Sequence, residues 1–257
     1  MSQAWMIASG KGGVGKSTIT AALAVALARR QLLTCAVDTD IGLRSLDMLL
    51  GLQNKIVYDV IDVANKDCKL KYALVQYSQA PALSLLPASQ LGTSGDLNAE
   101  LMSRIVRKLK KRFSYVLMDA PAGLERGVIN TLINTDHTLL IVTPDDVSMR
   151  DAERVIALLE QNHKPRPMLI VNRIVPELVV SGEMYSPQIV ANTLDVPLLG
   201  YVPDDKAVLH ALNHHHSVMD EDCPARDALT RISQRFLGEY VPMPGFEKRR
   251  RFFGWRG

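Results

Sequence analysis

The chain has 257 residues, enough for one large α/β domain with a sizeable core. Its hydrophobic share of 47% is ordinary for a globular protein, and neither a secretory signal nor a bilayer-spanning run is expected, which points to the cytoplasm. Net charge is +3, but residues 245–257 carry Lys248, Arg249, Arg250, Arg251 and Arg256 against Glu247, a balance of +4 that leaves −1 on the rest. A near-neutral body disfavours a broad nucleic-acid-binding face. Cys35, Cys68 and Cys223 are far apart, which excludes a disulfide framework. With no C-x-x-C pair, an iron–sulfur or zinc site is not expected either.

Trp5 to Ala8 is a short apolar run and predicts a buried strand. Gly10-Lys11-Gly12-Gly13-Val14-Gly15-Lys16-Ser17 follows and fits G-x-x-x-x-G-K-[ST]. A helix over Ser17 to Arg30, with Ile19, Leu23, Ala26 and Leu27 at helical spacing, completes the strand–loop–helix context. The glycines allow successive N–H groups to face phosphate oxygens, and the helix N-terminus adds partial positive charge. Residues 10–17, with Thr18 beside them, are therefore candidates for binding a nucleoside triphosphate. Lys16 is placed to reach the β- and γ-phosphates and the Ser17 hydroxyl to ligate Mg²⁺.

Cys35-Ala36-Val37 ends at Asp38, with Asp40 two residues on. Leu83 to Leu86 ends at Pro87, and a helix over Asn98 to Arg112 carries Leu101, Ile105 and Leu109. Tyr115 to Met118 ends at Asp119, and Thr138 to Val142 ends before Thr143-Pro144. Ser148-x-x-Asp151 has the spacing of a capping box and predicts the start of a helix over Arg150 to Gln161. Met168 to Val171 ends at Asn172, Leu198 to Val202 ends at Pro203, and a helix follows Pro224 over Ala225 to Leu237. Apolar strands alternating with helices predict a doubly wound, mostly parallel sheet, whose site is assembled beyond the carboxyl ends of the strands. Asp38, Asp40 and Asp119 stand at such ends, where carboxylates can support Mg²⁺ or orient an attacking water. Turn capping is the competing use for each.

Val241-Pro242-Met243-Pro244-Gly245 ends the last helix and predicts a boundary between a nucleotide-binding body, 1–240, and a linker with tail, 241–257. In the tail Phe246, Phe252, Phe253 and Trp255 lie among Lys248, Arg249, Arg250 and Arg251, a mixture suited to an anionic lipid surface. A disordered or RNA-contacting arm has the same composition. His214-His215-His216 reads as a solvent-exposed helix end, because adjacent residues do not share a helix face.

Lys11 to Ser17, Asp38-Thr39-Asp40-Ile41-Gly42-Leu43-Arg44 and Asp119-Ala120-Pro121-Ala122-Gly123 together resemble the deviant Walker A ATPases of the ParA–MinD family. Leu86-Pro87-Ala88-Ser89-Gln90, Arg150-Asp151, Val202-Pro203-Asp204 and the tail narrow the resemblance to the septum-site-determining branch. The resemblance implies a Mg²⁺-dependent ATPase that forms a homodimer with ATP. It further implies that the protein binds the inner membrane face reversibly and recruits a division inhibitor, MinC, while MinE activates hydrolysis. It assigns Lys11 to the nucleotide of the opposite subunit, and Ser17 to Mg²⁺ with Asp38 and Asp119 supporting it. Asp40 is assigned to the hydrolytic water, and Asn172, Arg173, Pro203 and Asp204 to adenine. Asn172 reads equally well as a strand-end turn residue. Asp145 and Asp151 are candidate resting partners of Lys11. Within the superfamily a ParA-type DNA-partitioning ATPase and a flagellar-number regulator are the alternatives, and an iron–sulfur carrier is disfavoured by the missing thiol pair.

Overall fold

A computed structural model describes residues 2–92, 96–123 and 126–246. The strands are β1 (Gln3–Ala8), β2 (Thr34–Asp38), β3 (Val75–Gln76), β4 (Leu83–Leu86), β5 (Tyr115–Asp119), β6 (His137–Val142), β7 (Met168–Ile174) and β8 (Leu198–Pro203). They form one sheet in the order β3-β4-β2-β5-β1-β6-β7-β8, parallel except at the β3 edge. The helices are α1 (Lys16–Arg29), α2 (Leu46–Leu49), α3 (Val60–Asn65), α4 (Leu70–Ala73), α5 (Ala99–Lys110) and α6 (Arg126–Ile133). Beyond them come α7 (Asp146–Gln161), α8 (Pro176–Ser181), α9 (Pro187–Leu194), α10 (Lys206–Asn213) and α11 (Pro224–Phe236).

The strands are apolar throughout because both faces are covered, and their two-residue period sorts the side chains between two layers. Trp5, Ile7, Ala36, Leu85, Leu117, Leu139, Ile141 and Ile170 face a core shared with α1 and α11. Their neighbours Met6, Ala8, Leu140, Val142, Leu169 and Val171 join α7 and α9 on the other face. On that same face Cys35, Val37, Val116 and Met118 meet α3 and α5. Helix α1 lies on the sheet beside α11 and packs against both, and every residue from Ile19 to Ala28 is buried. Its alanines permit that close approach at little conformational cost.

The chain leaves β1 toward β2 on one side, and after β5 it crosses to β6 on the other. This reversal opens a crevice at the carboxyl end of β1, between β5 and β6. One sequence expectation changes. Helix α7 starts at Asp146, earlier than the Ser148 signature suggests: the Asp145 carboxylate accepts the Ser148 N–H at 2.9 Å and caps the helix. Ser148 lies inside the first turn, where its Oγ accepts the Thr143 N–H at 3.1 Å. Strand β3 and the short helices α2, α3, α4, α6, α8, α9 and α10 are not read from the sequence, since little more than two turns at most is too short a window to establish a period.

Gly200 in β8 permits α11 to close on the sheet, because a Cβ there would lie 2.5 Å from Ile232 Cγ1. Gly200→Ala is expected to destabilise the fold by about 1–3 kcal/mol, as overpacking does, measured by urea denaturation with an unchanged m-value.

Candidate functional site

The loop at the crevice is held open by backbone geometry. Gly13 and Gly15 take φ of 77° and 92°, a region that side chains disfavour. Gly15 occupies the N-cap of α1 and supplies no side chain, so the first-turn N–H groups of α1 face the loop cavity without a capping acceptor. Gly10 is required for a different reason. A Cβ there would sit 2.3 Å from the Asp151 carbonyl carbon, inside the backbone of α7.

The two lysines of the loop have opposite environments. Lys16 Nζ lies 2.9 Å from Asp119 Oδ1, with the side chains 7% and 0% exposed. Thr20 Oγ1 donates to the same carboxylate oxygen at 3.1 Å, and Thr39 Oγ1 donates to the Asp119 carbonyl at 2.7 Å. Lys11 Nζ lies 3.9 Å from Asp145 Oδ1 with both side chains near half exposure, 44% and 45%. A pair so exposed is worth roughly 0–1 kcal/mol, whereas breaking a buried pair costs about 3–5 kcal/mol. Lys16 is thus fixed and Lys11 is held only lightly. Asp151 is no partner of Lys11: its carboxylate pairs with Arg154 at 3.1 Å, and its backbone abuts Gly10.

Asp38 and Asp119 are register neighbours on β2 and β5 and both are fully buried. Asp38 Oδ1 accepts the Asp40 N–H at 3.0 Å, and Oδ2 accepts Ser45 and Leu46 N–H at 2.9 and 3.1 Å. Its carboxylate therefore caps the loop 39–46, a role beyond the metal support assigned to it from sequence. Burial, and then the neighbouring Asp119, push its pKa up to about 7. Asp40 lies half-buried at the crevice, its pKa raised chiefly by burial and opposed by Lys16. Asp119 Oδ2 is buried with no hydrogen-bond partner among the described residues. An orphaned carboxylate oxygen beside Lys16, with Ser17 at the helix start, is a donor set that suits Mg²⁺ and its waters.

A cavity of about 310 Å³ adjoins the loop, and Thr18, Asn172, Arg173, Pro203 and Asp204 all line it. Asn172 also holds the loop itself, because its Nδ2 donates to the Val14 carbonyl at 2.7 Å. Arg173 Nη2 donates to the Gly13 carbonyl at 2.8 Å. Sequence reasoning missed Val208, Leu209 and Leu212, the apolar wall that α10 gives this cavity. Thr20 and Thr39 were missed as well. Their only signal is position, one turn after Lys16 and one residue after Asp38.

Of the tail residues singled out from sequence, Lys248, Arg249, Arg250, Arg251, Phe252, Phe253 and Trp255 lie outside the described residues. Phe246 is described, and it rests on the body. Its ring stacks on Tyr201 at 4.9 Å, and Tyr201 Oη donates to the Pro244 carbonyl at 3.2 Å. Arg235 donates to the Val241 and Pro242 carbonyls, both at 2.7 Å, which ties the start of the segment 241–246 to α11, while Phe246 packs with the α7 and α9 side of the sheet. Among the described residues no helix is long and apolar enough to cross a membrane.

A glycine loop between a parallel strand and a helix, a buried lysine–aspartate pair and strand-end carboxylates define a P-loop nucleotide-binding protein. A family profile described as ParA, NUBPL iron-transfer P-loop NTPase, matches residues 1–237. The septum site-determining protein MinD of Helicobacter pylori is 43% identical over 254 residues, covering 96% of this chain and 95% of that one. A solved MinC:MinD cell division complex from Aquifex aeolicus aligns with a TM-score of 0.88 at 36% identity, over 95% of this chain and 99% of that one. MinD from Pyrococcus horikoshii complexed with Mg-ADP aligns with a TM-score of 0.83 at 25% identity, over 92% and 96%. The chain belongs to the MinD septum-site-determining branch of the ParA-type P-loop NTPases. It is an ATPase whose cofactors are a nucleotide and Mg²⁺, and it acts in septum placement.

Lys16→Ala leaves Asp119 buried without its cation and is expected to cost about 3–5 kcal/mol of folding stability. Combining it with Asp119→Asn recovers a large part of that loss, as chemical denaturation of the two variants will report. For Asp38 the folded pKa lies above the unfolded value, so the folded state holds the extra proton. Its contribution is fully present below about pH 4 and is lost as pH rises toward about 7. In Mg²⁺-free buffer the stability of Asp38→Asn relative to the native chain should therefore climb between those pH values and level off above them.

Proposed function

We propose that ATP joins two copies of the chain through their phosphate loops, and that pairing converts a weak lipid contact into stable attachment at the inner membrane face. What supports this reading above all is the contrast between the two loop lysines, one buried against Asp119 and one lightly held at the solvent edge. Lys16 and the loop N–H groups hold the phosphates within one subunit. Lys11 leaves Asp145 at little cost and reaches the phosphates bound by the partner, adding positive charge where negative charge develops. Ser17 would ligate the cation, with Asp119 and Asp38 supporting it through water, and the cation would supply charge neutralisation at the phosphates. Asp40 orients the attacking water, and Asn172, Arg173, Pro203 and Asp204 surround the base.

The body, 1–240, carries this chemistry and residues 241–257 carry the lipid contact. Each basic residue near an anionic surface contributes roughly 1 kcal/mol. One tail binds reversibly, and two held together bind far more tightly through effective concentration. Phe246 joins the lipid contact once it leaves Tyr201. Hydrolysis returns single subunits to solution. MinC is the recruited partner, a reading supported by the Aquifex relative solved in complex with it. MinE is the expected activator, competing for the dimer surface.

Sedimentation with anionic liposomes tests the coupling. The intact chain should pellet with ATP and not with ADP, and a chain ending at Pro244 should stay in the supernatant with either. Pelleting regardless of nucleotide would reject the coupling. Light scattering with a non-hydrolysable ATP analogue should show a dimer that Lys11→Ala abolishes.

One observation favours a second reading. Although residues 1–244 are near neutral, Arg104, Arg107, Lys108, Lys110 and Lys111 gather on one surface of α5. A DNA-partitioning ATPase needs such a basic surface. DNA binding retained by the chain ending at Pro244, without lipid binding, would favour it.

A further inference from the structure

Helix α10 ends in a feature unconnected with phosphate chemistry. His215 adopts φ 53°, which turns the chain back on itself, and the His216 N–H bonds the Ala211 carbonyl at 3.1 Å. The turn carries His216 round to the side of His210, which a residue six positions on would not reach in a continuing helix. Glu221 follows the short 3-10 turn Val218–Asp220 and reaches the same point. His210 Nδ1 and His216 Nε2 each lie 2.7 Å from a single oxygen, Glu221 Oε1. The three ligand atoms all fall within 4.8 Å of one another. The His214 ring stacks beside His210 at 4.1 Å and stands 6.3 Å from His216.

We propose that His210, His216 and Glu221 form a binding site for a divalent transition cation of the Zn²⁺ class. Two imidazoles and one carboxylate are the donors such an ion prefers over Mg²⁺, which selects oxygen ligands. In a tetrahedral site with bonds of about 2.0–2.2 Å, ligand atoms stand roughly 3.3 Å apart. The nitrogen–oxygen contacts need to open by about half an ångström to accept the ion, a shift within reach of side chains at a helix end. His214 or water completes the fourth position. The ion clips the last turn of α10 to the segment behind it, and α10 also supplies Val208, Leu209 and Leu212 to the cavity beside the phosphate loop. The site is separate from the Ser17–Asp119 region and takes a different class of metal.

Titration of the intact chain with Zn²⁺, in excess Mg²⁺ and against a chromophoric chelator, tests the site. One equivalent should bind saturably and raise the melting temperature. His210→Asn and Glu221→Gln should each weaken binding at least tenfold, with the metal-free melting temperature and nucleotide affinity unchanged. Zn²⁺ binding that is absent, or that survives both substitutions undiminished, overturns the proposal. The second result would mean adventitious binding by the exposed histidine run. If either variant fails to fold, the Co²⁺ form of the native chain decides. Tetrahedral nitrogen-ligand absorption bands support the site, and the spectrum of hydrated Co²⁺ overturns it.

Discussion

The contact between Lys16 and Asp119 organises the crevice. Taking a lysine and an aspartate out of water is expensive, and the pair persists because each charge is matched at 2.9 Å and further polar groups converge on it. Thr20 adds a hydroxyl to the carboxylate from α1, and Thr39 adds one to the Asp119 backbone from the loop after β2. One aspartate thus ties the start of α1, the end of β5 and the end of β2 together. The remaining carboxylate oxygen has no partner among the described residues, so the arrangement has one unfilled electrostatic demand, at the place where a hard cation belongs.

The loop above that contact is fixed from its other side by β7. Asn172 and Arg173 donate to consecutive loop carbonyls, those of Val14 and Gly13. With its carbonyls turned outward toward β7, the loop has its N–H groups available for an anion. Gly10 permits α7 to press against the same loop, and α7 begins with Asp145, the carboxylate that Lys11 meets. The loop and α7 are therefore packed together at Gly10, while Lys11 touches the start of α7 only lightly.

The strap 241–246 gives the base of the tail a defined position on the body. Arg235 and Tyr201 bond its carbonyls and Phe246 packs on Tyr201, so the tail departs from the end of β8 and α11. These elements also border the cavity beside the phosphate loop through Pro203 and Leu229. The tail origin and this cavity therefore share two secondary-structure elements.

Much of this molecule was legible in its residues. Strands buried on both faces have no polar side to disguise them, and glycines at Gly10, Gly13 and Gly15 with Lys16 admit few other readings. The doubly wound, mostly parallel class of the sheet and the candidate loop followed from local pattern, whereas the strand order did not. Local pattern failed where two groups compete for one role across a short distance. Ser148 and Asp145 both could cap α7, and the outcome depended on where Thr143 points its N–H. Asp38 could serve metal or turn, and three backbone N–H groups claim it. His216 joins His210 only because His215 reverses the chain. Sequence determined the strands, the phosphate loop and the identity of the charges, because these depend on neighbours along the chain. Tertiary structure alone decided which lysine is buried, which carboxylate oxygen is left unpaired and which imidazoles meet, because those depend on burial and on contacts between residues far apart in sequence.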